Sequence, residues 1–346
     1  MRKWEPLGLQ TLKHRLLKKR RLKMMHLKPS PSVSILMSVY NGAAYLWTSL
    51  SAICDQDRFP DEIILVDDGS TDNTLKVMES FQREFPQIKI IKNKKNLGLV
   101  PSINKALRKA RGDYIVWCAA DDFLLPNFLK RSLEVLEGFP PVGLCFSQFA
   151  IFVDDPLAQQ KTLRLYNSQK MGKAFDLGDK PHYLSPEKLF NRLRSSYLWV
   201  SGNTALVRRD SLIEIGGFPE GLAWHADWFS FYIIALKYGI CMIPEYLTLM
   251  REVPKSYSRN GMNHKQSQVK ILTELLRSIF SDEMRDVSHI FKKRLCLFTP
   301  FNFEYILCAM LKERHYILAL RHTIFILRER LILYSRLFRA RMKKYR

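Results

Sequence analysis

Apolar runs and polar breaks alternate regularly over the first third of the chain. Residues 33–39, VSILMSV, are rich in β-branched side chains and follow a Pro-Ser-Pro stretch, which predicts a strand. Asn41-Gly42 predicts a turn and residues 43–54 a helix. EIILV at 62–66 predicts a second strand, cut off by DDGSTDN, where Ser70, Thr71 or Asp72 can cap a helix running to about Phe85. IKII at 88–91 predicts a third strand, 100–110 a helix and YIVWC at 114–118 a fourth strand. Strands separated by helices and short linkers imply an α/β fold, with a parallel sheet covered on both faces. In such sheets ligands sit outside the carboxyl ends of the strands. Here those ends carry Tyr40-Asn41, Asp67-Asp68, Asn93 and Asp121-Asp122.

Beyond residue 140 the pattern loosens. Residues 142–153 read as strand, 154–185 as a polar irregular segment, and 198–207, LWVSGNTALV, as strand. RRDSLIEIGGF reads as a short helix ended by Gly216-Gly217, 226–238 as a helix and 240–243 as a strand. A last helix is expected over 314–340. In it Ile317, Ile324, Leu331 and Phe338 recur every seven residues beside Leu320, Leu327 and Tyr334, with Arg314, Arg321 and Arg328 as a separate stripe. Such a helix either lies on a membrane surface or packs on the domain or a partner helix.

Charge changes this picture only at the ends. The net charge is +22, and the 281 residues between 30 and 312 carry only +4 of it. Residues 1–30 hold ten Lys/Arg and one acid, and 312–346 hold eleven and two. Basic ends point to an anionic membrane surface as partner, ahead of solvated tails, with no nucleic acid expected. The six cysteines form no C-x-x-C pair and most lie in apolar runs, so they read as reduced thiols of a cytoplasmic protein, peripheral on the inner face of the membrane. The basic start lacks an apolar core, so no signal peptide is expected. The longest charge-free stretch, 29–54, has six serines, two prolines and Asn-Gly, so no membrane span is expected either.

Paired acids at a strand end can bind a divalent cation, act as acid and base, or cap a helix. Magnesium or manganese takes one or two carboxylates and fills its remaining sites with water and diphosphate oxygens. Asp67-Asp68 on a neighbouring strand can accept hydrogen bonds from a ribose or a base, and Tyr40-Asn41 can stack on and bond a base. Three such loops make a nucleotide pocket with a cation at its diphosphate end.

The stretches SVYNGAAYLWTSLSAICDQ, EIILVDDGSTDNT, NLGLVPSINKALRKARGDYIVW and AADDFLLP together resemble the nucleotide-sugar domain of glycosyltransferase family 2 over residues 33–255, most strongly over 33–126. The resemblance implies the GT-A fold: a Rossmann-like, mostly parallel central sheet flanked by helices, here with a helical basic C-terminal extension. It implies a basic N-terminal extension at 1–30, a GT-A domain at 31–255 with nucleotide-binding (31–126) and acceptor (127–255) halves, and a helical region at 256–346. Tyr40, Asn41, Asp67, Asp68, Asn96 and Asp121 would bind the nucleotide. Asp122, with Asp121, would hold Mn2+ or Mg2+, Asp122 being the expected direct ligand. Ser38 stands where the family often has Pro, and Ala119 where it often has a further acid.

GGFPEGLAWHADWFSFYIIALKYG matches the family segment that opens a helix with the catalytic base, which places that role on Asp227, with Ala226 replacing a Glu. His225, Arg251, Lys255 and Arg259 are further candidates for acceptor or diphosphate contacts. Breaking a glycosyl phosphate bond needs a cation for the leaving charge and a base for the acceptor hydroxyl on the opposite face of the sugar. The expected reaction is therefore inverting transfer from a nucleoside diphosphate sugar, with uridine diphosphate donors first, to a glycan or lipid-linked acceptor in surface polysaccharide synthesis. No QxxRW signature is present, so one sugar per visit is expected. The alternatives are a sugar-nucleotide nucleotidyltransferase, which needs a phosphate loop after the first strand, and a non-catalytic binder with a vestigial pocket.

Overall fold

The computed structural model describes residues 31–139, 142–155, 160–165, 178–194, 196–198, 200–253, 256–298 and 300–329. The chain begins with strand β1 (Val33–Val39), helix α1 (Ala43–Cys54), β2 (Glu62–Asp67), α2 (Thr74–Glu84), β3 (Ile88–Lys92), α3 (Leu99–Leu107) and β4 (Tyr114–Trp117). These four strands are parallel and lie in the order β3-β2-β1-β4, with Leu36 opposite Ile64 on one side and Trp117 on the other. Every residue of β1 and β2 is buried. That explains why their sequences are nearly continuous apolar runs: both faces of a parallel sheet are covered.

The sheet continues through β5 (Phe123–Leu124), α4 (Phe128–Gly138), β6 (Leu144–Asp155), β7 (Gln160–Leu165), β8 (His182–Leu184), α5 (Pro186–Arg192), β9 (Ala205–Arg208), α6 (Arg209–Glu214), α7 (Ala226–Tyr238) and β10 (Ile240–Arg251). β9 enters antiparallel between β4 and β6, and β10 runs parallel to β6. The sheet is therefore parallel across its first half and mixed beyond it. Alternate residues of each strand face opposite layers. Ile35 and Met37 meet α1, α2 and α4, whereas Leu36, Ile64 and Val66 meet α3 and α7.

Three local expectations change. The 198–207 segment is strand only from Ala205, because Gly202–Thr204 form a tight turn in which the Ser201 amide donates to Thr204 Oγ1 at 3.2 Å and the Thr204 hydroxyl donates to the Ser201 carbonyl at 2.9 Å. Side chains here compete with the sheet ladder for backbone groups. The strand expected at 240–243 runs on to Arg251, with register shifts between Ile243 and Tyr246 and between Tyr246 and Thr248 that Pro244 and Glu245 mask in sequence. Within 154–185, β7 pairs with β6 and β8 with β10.

The C-terminal part adds α8 (Tyr257–Asn263), α9 (Lys265–Ile279), α10 (Arg285–Lys293), α11 (Phe303–Lys312) and a helix, α12, over 316–329. The expected last helix beyond 329 lies outside the described residues. Leu272, Leu276, Phe291, Phe298, Ile306 and Leu318 join the same apolar core as Leu36 and α7. Among the described residues no helix is long and apolar enough to cross a membrane. Free cysteines 54, 118, 145 and 241 are buried, and Cys308 is exposed.

Phe291 is fully buried in that shared core. Phe291→Ala is expected to cost about 3–5 kcal/mol. A denaturant titration followed by both circular dichroism and tryptophan fluorescence should show one shifted transition, since the helices and the sheet share a hydrophobic cluster.

Candidate active site

The four parallel strands deliver their carboxyl ends to one edge of the sheet. The chain order reverses between β1 and β4, the point where open α/β sheets leave a crevice. The loop after β1 contains Tyr40, half-exposed, and Asn41, whose φ of 50° is left-handed, a conformation Asn tolerates. The Asn41 carboxamide oxygen accepts from the Thr71 amide at 2.8 Å. The amides of Asn41, Gly42 and Ala43 donate to Ser70 Oγ (3.0 Å), Thr74 Oγ1 (2.9 Å) and Asp72 Oδ2 (3.1 Å). The amides at the start of α1 are thus already satisfied by the loop after β2.

The two acids ending β2 differ. Asp68 is buried and accepts from the Asn93 side chain (2.8 Å), the Ser102 hydroxyl (2.9 Å) and the amides of Leu97 and Gly98 (both 2.9 Å). It binds the loop before α3 into the sheet. Asp67 is buried too but its carboxylate accepts one bond, from the Ser70 amide to Oδ1 at 3.0 Å. Gly69, at φ 76°, allows this loop to lie on the next: a Cβ there would come within 2.7 Å of the Lys95 backbone. Asn96 is exposed and accepts from the Gly98 amide at 2.9 Å, turning the chain into α3.

The acids after β4 differ in the same way. Asp122 is buried, and its two oxygens accept from the Arg251 amide at 2.7 Å and from the Asn203 side chain. Asp121 is half-buried. Burial and then the like charge of Asp121 push the Asp122 carboxyl well up, and burial also raises Asp121, with Arg251 opposing both. With both Asp122 oxygens engaged, Asp121 is the more open carboxylate of the pair. The Arg251 guanidinium donates to the Asp121 carbonyl at 3.3 Å and lies 5.2, 5.1 and 5.2 Å from the ring centres of Tyr45, Phe123 and Phe152.

Asp227 opens α7. Its oxygens accept from the Trp228 amide at 2.7 Å and the Gly202 amide at 3.0 Å, while burial pushes its carboxyl up to about 6. The turn that holds Asp227 also holds Asp122: Asn203 donates to Asp122 and accepts from the Ala119 amide at 2.7 Å. Gly202 is required by close approach, because a Cβ would meet the Trp117 carbonyl at 2.9 Å. Gly202 and Asn203 were not among the expected site residues. The Ser-Gly-Asn signal for a turn was present but read as strand interior.

His225 is buried, its Nε2 lies 2.9 Å from the Gln268 side chain, and its ring packs edge-on to Phe301. Burial lowers it to about 4, which keeps the ring neutral. Arg259 pairs with Glu252 at 2.8 Å. Lys255 lies outside the described residues. Just before His225, Ala223 adopts φ 46° and ψ −117°, beside a cavity of about 770 Å³ lined by Trp224, Asn260, His264 and Lys270.

The family pattern described as glycosyl transferase family 2 matches residues 34–216. EpsE of Bacillus subtilis (strain 168), a putative glycosyltransferase, is 37% identical over 128 residues, which cover 35% of this chain and 46% of that protein. The match thus spans under half of that relative. In structure the chain is similar to S. aureus TarS 1–349 in complex with UDP-GlcNAc, with a TM-score of 0.60 and 16% identity over 81% of this chain and 79% of that one. It is also similar to the mannosyltransferase PcManGT of Pyrobaculum calidifontis in complex with GDP-Man and Mn2+, with a TM-score of 0.50 and 20% identity over 87% and 80% of the two chains. The likeness carries the fold, GT-A, as the sequence implied.

Asn203→Leu removes both bonds of that side chain and leaves Asp122 and the Ala119 amide without their partner. A loss of about 1–3 kcal/mol in urea unfolding is expected. Asn203→Asp, which places a third acid beside Asp122, is expected to be less stable at pH 8 than at pH 5.

Proposed function

The chain belongs to glycosyl transferase family 2 and is a glycosyltransferase, and from that premise we propose the roles its acids play. The donor is a nucleoside diphosphate sugar, first a uridine diphosphate sugar, and the acceptor is a hydroxyl of a glycan or lipid-linked saccharide. The observation that carries this reading is the turn at Gly202-Asn203, which ties the acid after β4 to the acid opening α7. Two neighbours of the same fold, named for complexes with UDP-GlcNAc and with GDP-Man and Mn2+, support a donor of this class.

Asp227 is the base. The acceptor oxygen attacks the anomeric carbon, its proton passes to Asp227, and the bond from that carbon to the diphosphate oxygen breaks with inversion. A base works best when its pKa lies near the working pH, and burial brings Asp227 toward that range. The bond from the Gly202 amide fixes which way its carboxylate points.

Asp121 is the cation-binding acid. Among the described residues no group of three His, Cys, Asp or Glu side chains could hold a metal by itself. The donor set is a carboxylate oxygen, which suits Mg2+ or Mn2+ completed by water and substrate rather than a caged zinc. When bound, such a cation offsets the charge of the departing diphosphate. Asp122 positions the loop, and the Arg251 guanidinium, bonded to the Asp121 carbonyl, is the basic group that meets the diphosphate oxygens. Asp67 and Tyr40 are left to meet the nucleoside, because Asp68 is engaged within the protein.

The nucleotidyltransferase reading loses its basis. It needs free amides after the first strand, and those of Asn41, Gly42 and Ala43 are taken by Ser70, Thr74 and Asp72. The acid missing at Ala119 does not argue for a vestigial pocket, since the backbone there is part of the turn's network.

A panel of sugar nucleotides with and without manganese, read as nucleoside diphosphate release, tests the reading. Asp121→Ala is expected to abolish the metal response, whereas Asp122→Asn keeps a metal response and loses thermal stability; the reverse pattern overturns the assignment. Asp227→Asn should bind donor normally and transfer about 10²–10⁴-fold more slowly. Because burial raises Asp227, it gains its proton as pH falls through about 6. The rate should therefore drop about tenfold per unit below that pH and level off above it.

A further inference from the structure

Helix α12 has two apolar faces. Leu318, Ala319 and His322 are buried, with the His322 ring beside Phe298 and Phe303. On the opposite side Ile317, Leu320, Ile324 and Leu327 are 77%, 62%, 57% and 55% exposed. At about 100° per residue these four fall within roughly a quarter of the helix circumference. A helix that only covers a core needs one apolar stripe. A second one, contiguous and open, marks an interaction surface.

Charge selects the occupant. Arg321 and Arg328 are exposed on one flank of this stripe, next to Ile317 and Ile324 on the helix wheel, and Lys312 and Arg314 are exposed just before it. Glu313, the nearest acid before the helix, is paired with Arg277 at 2.9 Å. In sequence, residues 330–346 add seven Lys/Arg and no acid. The heptad spacing, Ile317 and Ile324 with Leu320 and Leu327, would also suit a two-stranded coil. In that coil the flanking positions are Arg321 and Arg328 on one side and Tyr316 and Thr323 on the other, so no acid answers the arginines. A second copy therefore offers the arginines no acid when parallel and sets arginine against arginine when antiparallel. An anionic lipid surface accepts both the apolar row and its basic flank, with the long arginine stems lying along the acyl boundary.

We propose that the exposed face of α12 docks the protein on an anionic membrane surface. The apolar side chains enter the headgroup boundary while Arg321 and Arg328 meet lipid phosphates. This stands on the helix alone and does not depend on the transfer reaction, so it can fail or hold whatever the donor proves to be. If it holds, the enzyme works where a lipid-linked acceptor is found.

The test is flotation of the full chain with vesicles of phosphatidylcholine alone and of phosphatidylcholine with phosphatidylglycerol. Binding to the anionic vesicles, weakened by salt, is expected. The triple change Ile317→Ser, Leu320→Ser, Ile324→Ser should weaken partitioning at least tenfold. The pair Arg321→Glu, Arg328→Glu should weaken it by at least about 25-fold, counting roughly fivefold per arginine lost. All these residues are exposed, so melting temperatures should stay at that of the unaltered chain. Equal binding to neutral and anionic vesicles, or unaltered binding by both variants, overturns the proposal. So does a dimer in solution that the triple serine change dissociates.

Discussion

A carboxylate taken out of water must be met by donors, or it gives up its charge. This protein places such groups at strand tips and at the start of α7, and answers them mainly with neutral donors. Asp68 receives an asparagine, a serine and two amides. Asp122 receives an amide and an asparagine, and Asp227 two amides. Neutral donors orient a charge without cancelling it, and the oxygens they fill are fixed in direction. The same bonds also join segments far apart in sequence. Asn203 reaches 81 residues back to Asp122, and Gly202 reaches 25 residues forward to Asp227. The loop after β4 and the start of α7 are therefore positioned by one turn.

The fold was legible because its causes are local. Apolar runs, the Asn41-Gly42 turn and the capping residues after Asp68 each predict an element from neighbouring residues, and β1 to β4 follow. The site was legible as pairs of acids at strand ends. Which member of each pair stays inside the protein was not, because that depends on partners such as Asn93, Ser102 and Asn203 that only the folded chain brings near. β10 escaped for a related reason: Pro244 and Glu245 interrupt its pattern, and the strand survives through shifts in register. His225 looked like chemistry because it stands two residues before Asp227. Its surroundings, Gln268 of α9 and Phe301 just before α11, come from the C-terminal region, whose packing no local pattern announces.

Those helices do more than extend the chain. α9 supplies Gln268, which bonds both His225 and the Trp224 indole, the latter at 2.8 Å, so the approach to Asp227 is buttressed from outside the sheet. The core that begins at Leu36 continues through Phe291 to Leu318.

The cross-linking of the loop after β1 by Ser70, Asp72 and Thr74 has a thermodynamic consequence. A pocket whose walls are already tied to each other loses little further freedom when it is filled. On the proposed reading, a nucleoside would meet a rigid lock in this half of the molecule, and the selectivity would come from what the fixed shape refuses.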